Sequence, residues 1–150
     1  MILDSANAKR LILYFMYDKD GIVDDYVPYM LRELKKNSTE ILVVCNGKLT
    51  RESREKLQEV TPNVLVRENK GFDVWAYKTG LEYYGWDKIG SFDEVIMMNF
   101  TIMGPVYPLE EMFKTMDQRD LDFWGITMFH EYKEGDPFGT IPYGYIPNHI

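Results

Sequence analysis

A three-layer α/β fold, with a mainly parallel sheet flanked by helices, is what this chain predicts. Short apolar runs of strand length alternate with segments whose apolar residues recur at helical spacing, and that alternation implies parallel strands joined by right-handed helical crossovers. The first run, Leu11 to Tyr17, is apolar on both faces, as a central strand covered by helices requires. Polar residues gather where the runs end, and in open α/β sheets the ligand crevice lies beyond the carboxyl ends of the strands.

Taken in order, Leu11 to Tyr17 is the first core strand. Asp24 or Asp25 is placed to cap a helix running to about Lys36, with the stripe Val27, Met30, Leu31 and Leu34 inward and Pro28 in the first turn. Thr39 to Cys45 is a second strand, Asn46-Gly47 a turn, and Thr50 the cap of a short charged helix ending near Val60, before Pro62. Asn63 to Arg67 is the third strand. A helix from Val74 presents Val74, Tyr77, Leu81 and Tyr84 on one face and ends at Gly85. Glu94 to Met98 is the fourth strand, followed by a helix with the stripe Leu109, Met112, Phe113 and Met116. Asp122 to Phe129 is expected as a fifth strand. From Gly135 the pattern turns to Pro, Gly and Tyr without periodicity, so the chain reads as a fragment of a longer protein.

With 150 residues, 45% apolar and 15% aromatic, the chain has material for one core, and a single domain over 1–150 is expected. A net charge of −7, without a local cluster of Lys and Arg, opposes binding of nucleic acid or anionic headgroups. The one cysteine, Cys45, lies inside an apolar strand, which excludes an internal disulfide and fits a reducing, cytoplasmic setting. No apolar run is long enough to span a bilayer, and no export signal is present.

Asp18-Lys19-Asp20-Gly21 after the first strand has the Asp-x-Asp-Gly form of haloacid dehalogenase-like phosphatases, with Asp18 as nucleophile and Asp20 as acid/base. That chemistry also needs magnesium on further acids after the fourth strand. Here the fourth strand ends in Asn99-Phe100-Thr101, and Asp93-Glu94 sit at its other end. The competing reading of the motif is a polar turn before a helix.

The series Asn46-Gly47, Glu68-Asn69-Lys70-Gly71-Phe72-Asp73, Asn99-Phe100-Thr101-x-x-Gly104-Pro105 and Asp122-Phe123-Trp124-Gly125, in this order, resembles the rhamnan synthesis protein F family. The resemblance runs from about Leu11 to Thr127. It implies a GT-A-like (Rossmann-like) nucleotide-sugar-binding fold, transfer of rhamnose from deoxythymidine-diphosphate rhamnose, and a glycan or lipid-linked glycan acceptor. It also implies that the family continues past Ile150, which leaves room for peripheral association with the inner face of the cell membrane.

Sugar and nucleoside recognition needs fixed amides and carboxylates that hydrogen-bond hydroxyls and base edges. The expected donor-binding set is Tyr17, Asn46, Asn69, Lys70, Gly71, Asp73, Asn99 and Thr101. Each has a plainer reading: Asp73 as a helix cap, Asn69 and Gly71 as turn residues, Asn46-Gly47 as a turn. Asn99-Phe100-Thr101 stands where GT-A enzymes carry Asp-x-Asp, so a divalent metal on paired carboxylates is not expected. Lys70 and Arg67 would then supply positive charge to the diphosphate. Trp75, Trp86 and Trp124 offer stacking surfaces or core. His130 and Glu131 are the general-base candidates, with His149 the only other histidine.

Overall fold

The computed structural model describes residues 1–127. Contacts divide the chain into two compact units, Leu3–Gln118 and a second one made of Met1–Ile2 with the segment from Arg119. In the second unit the N-terminal ammonium pairs with Asp120 at 2.9 Å and donates to the Leu121 carbonyl at 2.8 Å.

The larger unit holds strands β1 (Arg10–Asp18), β2 (Glu40–Gly47), β3 (Val64–Arg67) and β4 (Glu94–Asn99), with helices α1 (Tyr26–Lys35), α2 (Arg51–Gln58), α3 (Phe72–Tyr84), α4 (Trp86–Ile89) and α5 (Glu110–Asp117). The sheet has four strands in the order β3-β2-β1-β4, and every pairing is parallel. This is the three-layer, Rossmann-like α/β arrangement expected. On one face Ile12, Tyr14, Ile41, Val43 and Cys45 pack against Val27, Met30, Leu31 and Leu34 of α1 and Leu57 of α2. On the other, Leu11, Leu13, Phe15, Leu42 and Val44 pack against Ala76, Tyr77, Leu81 and Tyr84 of α3. β1 is covered on both sides, which is why its run from Leu11 to Met16 has no polar residue.

Several boundaries differ from the sequence reading, each for a local reason. Asp25 precedes α1 but has α-helical dihedrals instead of the extended cap geometry, and its side chain makes no cap bond; its carboxylate reaches Lys56 at 3.0 Å instead. Thr50 does cap α2, its hydroxyl accepting the Ser53 N–H at 3.1 Å. Asn46-Gly47 is not a turn between strands but the end of β2, where Asn46 pairs with Tyr17 on one side and Arg67 on the other. Val74 is exposed, and the buried residues of α3 are Ala76 and Gly80. A Cβ on Gly80 would lie 3.1 Å from Leu13, so the small residues set how closely α3 approaches the sheet. Residues 122–127 form no strand, and Phe123 and Ile126 are exposed there, so no burial rewards extended pairing; Met128 and Phe129 lie outside the described residues.

At the amino end of the sheet Arg10 is fully buried. Its Nε donates to Glu94 at 2.7 Å, its Nη2 to Asp117, and its guanidinium lies 4.9 Å from the Phe113 ring centroid. Asp117, itself buried, also accepts from the Ser5 hydroxyl at 2.5 Å. This triad ties α5 and the edge strand β4 to the central strand.

Candidate functional site

The order β3-β2-β1-β4 reverses direction between β1 and β4, because β1 leads through α1 to β2 on one side while β4 enters on the other. Connections leave such a point in opposite directions and open a crevice at its carboxyl end. A cleft of about 500 Å³ lies there, lined by Phe15, Tyr17, Asn69, Phe72, Asp73, Asn99, Phe100 and Thr101.

Period-two alternation explains the lining. Leu11, Leu13 and Phe15 face α3, so Tyr17 does too. Register places Asn46 beside Tyr17, Arg67 beside Asn46, and Asn99 beside Phe15 on that same face. The carboxyl ends of all four strands therefore contribute a polar or aromatic side chain to one side of the sheet. Phe15 and Phe100 meet edge to face, with centroids 6.0 Å apart, and form an apolar floor.

The loop from Glu68 to Gly71 is held by two side chains. Asn46 is wholly buried, and its Nδ2 donates to the Phe72 carbonyl at 3.1 Å while its Oδ1 accepts from Arg67 Nη1 at 2.6 Å. Arg67 Nη2 donates to the Lys70 carbonyl at 2.9 Å. Gly71 has φ +71°, and a Cβ there would fall 2.2 Å from the Trp75 ring. Gly71, not Asp73, is the residue before α3, and it makes no side-chain cap bond. Asp73 lies one residue inside the helix and borders the cleft. Lys70 is exposed, its Nζ 5.3 Å from the Trp75 ring centroid.

Across the cleft, Asn99 Oδ1 accepts from the Thr101 hydroxyl at 2.6 Å and the Thr101 N–H at 3.3 Å, a side-chain turn that fixes the end of β4. Tyr26 donates to the Phe100 carbonyl at 2.9 Å and anchors the same turn to α1.

Of the residues expected to contact a donor, Tyr17, Asn69, Asp73, Asn99 and Thr101 border one cleft. Asn46 stands behind the loop and positions it. Gly71 shapes the loop, and Lys70 is exposed on it. Phe15, Phe72 and Phe100 were absent from that set. Phe15 and Phe100, at strand ends, read as core until the register shows which side they face, and Phe72, at the start of α3, carries no sequence signal of its exposure. His130, Glu131 and His149 lie outside the described residues.

The Asp18 motif forms a turn. Asp18 Oδ1 accepts the N–H groups of Ile22 and Asp20, each at 2.9 Å, and the Ile22 bond leads the causes that hold its carboxyl below the usual range. Gly21, at φ +77°, packs where a Cβ would lie 2.9 Å from the Lys48–Leu49 backbone. Among the described residues no group of three or more His, Cys, Asp or Glu is arranged to hold a metal ion. The two side chains at the end of β4, an amide and a hydroxyl, are bonded to each other.

The fold and cleft define an α/β domain with an open cleft at the topological switch point of a parallel sheet. The family model of rhamnan synthesis protein F matches residues 41–150, and the chain belongs to that family. Its membership ties the protein to rhamnan synthesis, and hence to polysaccharide biosynthesis. No curated protein and no solved structure matches the chain. Among the described residues no helix is long and apolar enough to cross a membrane.

Proposed function

We propose that the chain is the donor-binding part of a GT-A-like glycosyltransferase that moves rhamnose from deoxythymidine-diphosphate rhamnose to a glycan acceptor, on the cytoplasmic side of the membrane. The observation that carries this reading is the convergence of Tyr17, Asn69, Asp73, Asn99 and Thr101 on one cleft with an aromatic floor. Ring hydroxyls and a base edge call for fixed amides, hydroxyls and a carboxylate, and a sugar's or base's face calls for apolar surface. Family membership supplies the polysaccharide setting.

In the reaction an acceptor oxygen bonds to the anomeric carbon as the bond from that carbon to the diphosphate breaks. The acceptor proton passes to a base, for which His130 and Glu131 are the candidates, and the nucleoside diphosphate leaves. Lys70 offsets charge on the diphosphate, and no step is assigned to a metal.

Calorimetric titration with deoxythymidine diphosphate and its rhamnose conjugate, with and without magnesium, tests the proposal. Binding without metal, weakened about tenfold or more in Asn69→Ala and Asp73→Ala, is the expected result; loss of one hydrogen bond to a charged or polar ligand group is worth about 1.5 kcal/mol. Absence of binding in either condition overturns it. Magnesium-dependent phosphate release that disappears in Asp18→Asn would establish a phosphatase instead, and binding without transfer would mark a noncatalytic module.

A further inference from the structure

Phe72 is the one residue other than glycine, among those described, with a positive φ, at 52°. It follows Gly71, at φ +71°, so two consecutive residues occupy the left-handed region. For a bulky side chain this conformation is strained, and such strain persists only where surrounding structure imposes it. The imposing group is visible. Asn46, with no exposed surface, donates to the Phe72 carbonyl at 3.1 Å, and Arg67 bonds both Asn46 and the Lys70 carbonyl.

The strain obtains no burial in return. The Phe72 side chain is 83% exposed, although it begins a helix whose neighbouring residues Ala76 and Gly80 are packed against the sheet. Phe72 also borders the cleft, together with Asn69 and Asp73 on its own side and Phe100 and Thr101 from β4. A buried amide, a half-buried arginine and a glycine thus cooperate to hold an aromatic ring out at the rim of the cleft.

We infer that Phe72 is a stacking platform for the nucleobase of a nucleoside diphosphate, and that Asn46 and Arg67 are positioning residues that hold it there. The inference rests on the proposed nucleotide-binding reading and names the part of the ligand that meets the β3–α3 loop. A planar base presents a π-face to the ring while the polar groups of Asn69 and Asp73 remain for its edge or the ribose. Stacking is tolerant of base identity, because every base has such a face.

The test titrates the full chain with deoxythymidine diphosphate and, separately, with inorganic pyrophosphate. Phe72→Tyr and Phe72→Trp keep an aromatic ring; Phe72→Asn and Phe72→Gly remove it while tolerating a left-handed backbone. The two ring-free variants are expected to bind the nucleotide about 5- to 100-fold more weakly. Their pyrophosphate affinity stays within about twofold of the parent, and their Tm is equal or higher because the strain is relieved. The ring-bearing variants bind like the parent. Asn46→Ala reproduces the nucleotide loss. Equal nucleotide affinity across all four Phe72 variants overturns the stacking role alone. A parallel loss of pyrophosphate binding overturns it in favour of a loop-shape effect. Failure of the parent to bind deoxythymidine diphosphate overturns both this inference and the reading beneath it.

Discussion

Gly71 shows how one missing carbon decides the shape of the site. At φ +71° an L side chain is strained, and its Cβ would meet the Trp75 ring at 2.2 Å, near the root of that side chain where little can give. Gly71→Ala is therefore expected to lower stability by about 1–2 kcal/mol, measured by urea denaturation, and to weaken nucleotide binding as the loop shifts. Cys45 illustrates the opposite case, a residue whose chemistry is silenced by its surroundings. Burial pushes its thiol up to about 12, so the folded protein holds the neutral form well above the ordinary thiol range. Between about pH 8.5, where an unfolded thiol ionises, and the folded value, the native state binds the extra proton. This group's contribution to stability is thus full below that window and is lost as pH rises through it. Native protein at pH 8.5 is expected to leave Cys45 unmodified by iodoacetamide, with full reaction in denaturant. Rapid native alkylation would contradict the burial.

At the scale of elements, the Arg10, Glu94 and Asp117 triad makes α5 and β4 dependent on one guanidinium. Removing one partner of a buried ion pair strands the other's charge. Asp117→Ala is expected to cost about 3 kcal/mol of unfolding free energy, with Glu94 retaining part of the pairing. A change in urea midpoint equivalent to less than about 1 kcal/mol would show the triad to be dispensable. The sequence foretold the elements better than their edges. β1 and β2 were legible because two-sided burial leaves unbroken apolar runs. The inward face of α3 was legible in part: Tyr77, Leu81 and Tyr84 of the expected stripe pack on the sheet, but Val74 is 68% exposed, and Ala76 and Gly80, which are buried instead, are too small to leave a periodic signal. Asn46 likewise reads as a turn residue, because nothing local reveals that Arg67 and the Phe72 carbonyl, more than twenty positions away, satisfy its amide.

Across the whole molecule, alternation of elements implied parallel strands, whereas the order β3-β2-β1-β4 came from pairings that no stretch of sequence states. That order brings residues at the ends of β1 and β4 and the loop after β3 to one cleft. It explains why Asn69 and Asn99, thirty positions apart, border the same space, while Asp18, beside Tyr17 in the chain, bonds within its own turn. Arg10 and Tyr17 occupy the two ends of β1, seven residues apart, or about 23 Å at the rise of a parallel strand. At that distance the Arg10 charge is already matched by two carboxylates beside it. Arg10, though cationic, therefore exerts no long-range pull on an anionic ligand. Perturbations at the two ends of the central strand are energetically additive, and the cleft can diverge in specificity without renegotiating what holds the sheet together.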